Sequence, residues 1–173
     1  MYLRNISNFT NVSDYLPILN GALITDILVI LLALSGYLKS LTLKTWYKSF
    51  GLSAVLADVF VIVIVVIVTR WLYSMFFKSY SLLSFIILAV SIQCAHDLLF
   101  GKLLDYIPTE KSQIFNTFKQ YADEHSFRIL FADAQMVVST IIIGSLMASF
   151  DFNINIITFI IMLYHVPYLI YSF

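Results

Sequence analysis

Val59-Phe60-Val61-Ile62-Val63-Ile64-Val65-Val66-Ile67-Val68 is a run of ten residues without one polar side chain, and nine of the ten are Val or Ile. In water such a run reads as a buried strand, because β-branched side chains suit the extended chain. Here the apolar stretch extends both ways, from about Gly51 to Tyr73. A helix needs about 20 apolar residues to cross the hydrocarbon core of a bilayer. Inside lipid the backbone must satisfy its own hydrogen bonds, which overrides β-propensity and selects the helix. The stretch is therefore read as a membrane-spanning helix, and the fold as all-α.

The composition agrees. Hydrophobic residues make up 61% of the 173 and charged residues 12%, against roughly 45–50% and about 25% in soluble domains. The formal net charge is zero, so nothing points to nucleic acid as a partner. Cys94 is the single cysteine, which excludes an internal disulfide, a CxxC redox pair and a cysteine-rich zinc site.

Residues 1–16 form a polar N-terminal tail, and residues 17–173 a single transmembrane domain. Spans are expected at about 17–38, 51–73, 81–104, 126–150 and 156–173, giving a five-helix bundle. The apolar run begins only after Pro17, so the tail is not a signal peptide. It holds three acceptor triplets, starting at Asn5, Asn8 and Asn11, each fitting N-x-[ST]; they are candidate glycosylation sites if the tail is lumenal. Lys39–Phe50, with Lys39, Lys44, Lys48, Trp46 and Tyr47, reads as an interfacial connection. Arg70 and Trp71 mark the end of the second span, where Arg70 is read as a snorkelling anchor. Pro108 and Thr109 announce a helix start. Residues 108–125 form an amphipathic segment with Ile114, Phe115, Phe118 and Tyr121 on one face, suited to lying in the membrane interface with Ile114, Phe118 and Tyr121 turned inward. Asp151–Asn155 is read as a tight turn, and Pro167 as a kink in the last span beside His165. Ser139, Gly144, Ser145 and Ala148 make a small-residue stripe suited to close helix packing.

Five spans put the termini on opposite sides. With the N-terminus outside, the inner segments hold Lys39, Lys44, Lys48, Lys102, Lys111, Lys119 and Arg128, and the outer ones Arg4, Arg70 and Lys78. Seven basic residues against three favour a lumenal N-terminus and a cytoplasmic C-terminus.

Ionisable residues inside apolar helices are costly and need a partner or a purpose. The stretch Ser91–Lys102, S-I-Q-C-A-H-D-L-L-F-G-K, carries Gln93, His96 and Asp97. Asp58, Asp133 and His165 interrupt three further spans. Counted at about 1.5 Å per residue, Asp58, Asp97, Asp133 and His165 lie roughly 8–15 Å inside one boundary. Asp26 counts as about 20 Å deep, nearer the midplane. Four helices thus offer ionisable groups at one level, and a polar layer of Asp58, His96, Asp97, Asp133 and His165, extended by Gln93 and Asp26, is expected inside the bundle.

The chemistries differ in their support. Asp and His line proton and ion paths. They also bind metals, but no H-x-x-x-H or E-x-x-H spacing occurs, and four ligands would have to come from four helices. No G-x-S-x-G motif suggests hydrolysis, and no mid-span lysine is available for a Schiff base. A faint echo joins Val55-Leu56-Ala57-Asp58 to Ile129-Leu130-Phe131-Ala132-Asp133, as a duplicated hairpin would. The bland alternative is a satisfied polar cluster that sets helix register. No cofactor, metal site or catalytic residue is assigned.

Ala95-His96-Asp97-Leu98-Leu99-Phe100, an amphipathic polar segment and then Phe131-Ala132-Asp133-Ala134 resemble small multi-pass proteins of large nucleocytoplasmic DNA viruses, over roughly residues 92–149. The resemblance implies a viral membrane protein, of the virion's internal membrane or a host endomembrane, and carries no activity with it. The expected function is an integral, organising membrane component, with the bilayer, further copies of the chain and other membrane or capsid proteins as its partners. The alternative is a proton or ion channel or transporter that uses the acid layer.

Overall fold

A computed structural model describes residues 3–108 and 112–172, and at 118 and 120–129 the backbone only. Among the described residues there is no strand. A 3-10 turn over Val12–Asp14 leads into six α-helices: α1 Tyr15–Leu34, α2 Leu41–Phe50, α3 Leu52–Phe76, α4 Leu82–Tyr106, α5 Gln113–Met147 and α6 Phe152–Ile170. Five of the helical segments are long and apolar enough to cross a membrane: Val12–Leu34, α3, α4, Leu130–Met147 in α5, and α6. The chain is a multi-pass integral membrane protein.

α1 is the central helix, packed most extensively on α5 and then on α6 and α3. α4 fills the notch between α3 and α5, while α2 lies at one end against α3, α5 and α1. The closest approach is between α1 and α5. A Cβ built on Gly21 would sit 2.6 Å from the Thr140 carbonyl oxygen and 2.8 Å from the Gly144 nitrogen. Gly144 faces the backbone of Pro17 and Ile18 in turn, the close packing expected of small residues in membranes. Ser139 lies outside this contact, in a groove on the outer face of α5 with Val90 and Gln135.

Several sequence expectations are corrected. α1 ends at Leu34, not near residue 38, because Gly36 adopts φ +76° and turns the chain. The Lys39–Phe50 connection is a helix, α2. Ser40 caps it by accepting from the Leu43 amide at 3.1 Å, and Leu43, Trp46, Tyr47 and Phe50 share its inward face at helical spacing. Gly51, at φ +50°, closes α2 and starts α3. The amphipathic segment is not set off as a helix of its own. It prolongs the fourth span as the first half of α5, whose 35 residues reach about 52 Å at 1.5 Å each. No Gly or Pro lies between Gln113 and Ile143 to break it. Ile114 is exposed, and the inward contact is made by Phe115, which meets Phe100. Thr109 and the side chains of Phe118 and Tyr121 lie outside the described residues. Asp151 does not open a turn but caps α6, accepting from the Ile154 amide at 3.0 Å.

The N-terminal tail is a folded lid on one end of the bundle. Ile6 is fully buried. The Arg4 amide donates to the Ser145 carbonyl and its guanidinium to the Ala148 carbonyl, both at 3.0 Å, so the tail satisfies carbonyls left open at the end of α5. Each acceptor triplet closes on itself: the side-chain oxygens of Asn5, Asn8 and Asn11 accept from the hydroxyls of Ser7, Thr10 and Ser13, all at 2.8 Å. These Asx turns wind the tail so that its carbonyls meet Arg70. Arg70 does not snorkel. It is 0% exposed, donates to the carbonyls of Asn8 and Asn11, pairs with Asp14 at 3.4 Å and lies over the Tyr15 ring.

Candidate functional site

The site lies at the opposite end, above α2. Asp26, just past the middle of α1, is fully buried. The Tyr47 hydroxyl donates to its Oδ1 at 2.8 Å. The Trp46 indole N–H donates to Asp58 Oδ2 at 2.9 Å. Adjacent residues on a helix point about 100° apart, so one short helix serves acids on two different spans. Gly51 makes this possible by folding α2 back beneath α1 and α3. Burial, together with the neighbouring Asp26 and Asp58 carboxyls, pushes the Tyr47 phenol well above its usual value, so it remains a neutral donor. The same hydroxyl is within hydrogen-bonding reach of Asp58.

Beyond this pair the acids continue from helix to helix. Asp26 and Asp58 lie within Coulombic range of each other. Asp133 on α5 lies within range of Asp58, Asp97 and His96. On α4, Asp97 Oδ1 accepts from Gln93 Nε2 at 2.7 Å and lies 3.0 Å from His96 Nδ1. The His96 ring stacks on Phe100. Ordered by mutual electrostatic influence, the acids run from Asp26 on α1 to Asp58 on α3, Asp133 on α5, then Asp97 with His96 on α4. This row crosses the bundle sideways at one level. Asp26 is its sealed end, and His96, whose side chain is 41% exposed, is its open end.

This layer contains Asp26, Asp58, Gln93, His96, Asp97 and Asp133. His165 is not in it. It is exposed on α6, where its Nδ1 contacts the Ile161 carbonyl of its own helix at 2.7 Å; α6 continues through Pro167 to Ile170. Counted from the end of α1 at Leu34 rather than from Lys39, Asp26 is eight residues, about 12 Å, deep instead of about 20 Å. Among the described residues no lysine or arginine pairs with any of these four acids, and no three His, Cys, Asp or Glu converge as a metal ion would require. The acids are strung out rather than gathered. Asp26 Oδ2, Asp97 Oδ2 and Gln93 Oε1 are buried without a hydrogen-bond partner among the described residues.

Sequence reasoning missed Trp46 and Tyr47, although the 43, 46, 47, 50 spacing after Ser40 was a helix signal. It also missed the polar residues of α1 other than Asp26. Asp14, at its start, bonds Arg70 on α3. Asn20 donates to the Asn155 carbonyl on α6 at 2.9 Å. Thr25 meets Thr140 on α5 at 3.3 Å, and Asp26 meets Tyr47 on α2. One polar group of α1 thus fastens each of four neighbours, a register role suited to hydrogen bonds in lipid. Asp58, Asp133, Asp97 and His96 are additional to that fastening. Compared with known protein families, curated proteins and solved structures, the chain matches none.

Proposed function

We propose that this membrane protein binds and exchanges protons through the acid layer, taking them up and releasing them at His96. The observation that carries the reading is the Tyr47 hydroxyl lying between Asp26 and Asp58. A neutral phenol has one proton to donate. Serving Asp26 at 2.8 Å, it has no second proton for the neighbouring Asp58, which favours a proton shared within the pair. The other contacts support this. Asp97 is paired with an amide and a histidine, as in a cluster that only sets register, but Asp26 lies within Coulombic range of Asp58, and Asp133 within range of Asp58 and Asp97, with no lysine or arginine paired to any of them among the described residues. Neighbouring carboxyls in a low-dielectric setting cannot all ionise and share protons instead. The layer lies at one end of the bundle, and the Gly21–Gly144 crossing beyond it leaves no room for a methyl group. The reading is therefore lateral exchange with one side of the membrane, not an open pore.

Infrared spectroscopy of the reconstituted protein tests it. At neutral pH the wild type should show a protonated-carboxyl C=O band that shifts in D2O. D26N and D58N should each reduce it, and D97N should slow its exchange while the fold is kept. A spectrum without that band, or one that none of the three variants alters, removes the reading.

A second reading is an organising component of a membrane, the viral setting being the one the resemblance implies. The observation in its favour is that α4 and α6 turn large apolar side chains outward along their length, among them Leu83, Ile87, Leu98 and Leu99 on α4 and Ile157, Ile160 and Ile161 on α6. Further copies or neighbouring membrane proteins would pack there. Under either reading the lysine bias orients the tail to the lumenal side and α2 to the cytoplasmic side.

A further inference from the structure

The link between α1 and α3 carries a feature that neither reading uses. Residues 35–40 and the first turn of α2 enclose a cleft of about 230 Å³, lined by Gly36, Leu38, Lys39, Ser40, Leu41 and Lys44. Lys39 and Lys44 are exposed, and among the described residues neither is in an ion pair. The cleft is therefore positive and uncompensated. It also lies at a membrane boundary, since α1 ends at Leu34 and α3 begins at Leu52, both on this side. Two large side chains stand exposed here: Leu41, which lines the cleft, at 80%, and Tyr37, between the lining residues Gly36 and Leu38, at 78%. A soluble anion would gain nothing from them, whereas an amphiphile would lay its glycerol and acyl portions there.

We infer that this cleft binds the phosphate headgroup of an anionic phospholipid, held between Lys39 and Lys44 with its apolar part against Tyr37 and Leu41. Basic side chains close to an anionic leaflet gain affinity additively, and a cleft that places two of them around one phosphate adds direct charge-assisted hydrogen bonds. α2 is then held from both faces, by lipid outside and by Asp26 and Asp58 inside.

The full chain, purified in neutral detergent, is titrated with phosphatidylglycerol and, separately, with phosphatidylcholine, and bound lipid is read by native mass spectrometry. Wild type should prefer phosphatidylglycerol. K39Q/K44Q should bind it roughly thirtyfold more weakly, the combined contribution of two basic residues at an anionic surface. K39R/K44R should retain it, and so should K48Q/K102Q, which loses the same charge from exposed lysines outside the cleft. Undiminished binding in K39Q/K44Q, equal loss in K48Q/K102Q, or equal affinity for the two lipids would overturn the site. Inorganic phosphate that displaces phosphatidylglycerol as readily as the lipid itself would overturn the lipid as its occupant.

Discussion

Gly21 and Gly101 are both helix-interior glycines, and they should respond oppositely to alanine. At Gly21 the added carbon meets backbone atoms at 2.6 and 2.8 Å, which cannot yield. G21A should cost about 1–3 kcal/mol, the usual penalty for overpacking. At Gly101 nothing lies within 4 Å, so G101A should leave stability unchanged or raise it by up to about 1 kcal/mol. Thermal unfolding in detergent reads both. Arg70 is a second test at this scale. R70M leaves buried Asp14 with only the more distant Arg4, 3.9 Å away, and removes the donor of two tail carbonyls; loss of one partner of a buried pair costs about 3–5 kcal/mol, and the remaining Arg4 puts R70M at the lower end. The double variant D14N/R70M should cost less than R70M alone, and limited proteolysis should cut the tail of R70M before its helices. The identity of Arg70 as an ion was plain in the sequence. Its burial was not, because the partners that bury it are backbone carbonyls, which any sequence would supply.

Among the elements, α1 fastens its neighbours by single bonds of unequal weight. Among the described residues the Asn20 side chain bonds only Asn155. Asn155 also donates to the carbonyls of Met147, Phe150 and Asp151, and so closes the α5–α6 turn. N20A should therefore cost about 0.6–1.7 kcal/mol, the measured span for hydrogen bonds between membrane helices, and N155A more. Denaturation in mixed micelles gives the order, and an N20A loss equal to or above that of N155A would contradict it. The apolar runs made the five spans legible, because length and hydropathy alone decide whether a segment can cross. α2 was not, because three lysines among aromatics also describe an unstructured interface segment, and only the 43, 46, 47, 50 spacing separates the two. The centrality of α1 was not legible either. A mostly buried helix and one facing mostly lipid have the same uniformly apolar face pattern, and only scattered residues such as Asn20 and Thr25 tell them apart.

For the whole molecule, five crossings would place residues 3–11 and the end of α6 on opposite sides. Single cysteines introduced at exposed Thr10 and Tyr171 in a C94S background should be labelled by an impermeant maleimide from opposite faces of sealed vesicles; labelling of both from one face would exclude five crossings. The depth count brought Asp58, Asp97 and Asp133 to one level, since rise per residue is a property of the helix. It could not order the helices around the bundle, which depends on how side chains such as Gly21 and Gly144 let backbones approach. That is why His165 was included: its level was countable, but the face of α6 that turns outward was not.

The central position of α1 has a consequence for how the chain is made. Thr140 and Asn155 follow their α1 partners by 115 and 135 residues. At the usual 5–20 residues per second, a ribosome needs roughly 7–27 s to supply the last of them. Asp26 gains Tyr47 on α2 after only 21 residues, but α1 holds Thr25 until Thr140 is made, and Asn20 throughout, in or beside the insertion machinery with no helix to receive them. Biogenesis should therefore pause with α1 retained there until α6 emerges, and nascent chains arrested before Asn155 should crosslink to the translocon through α1 while full-length chains do not.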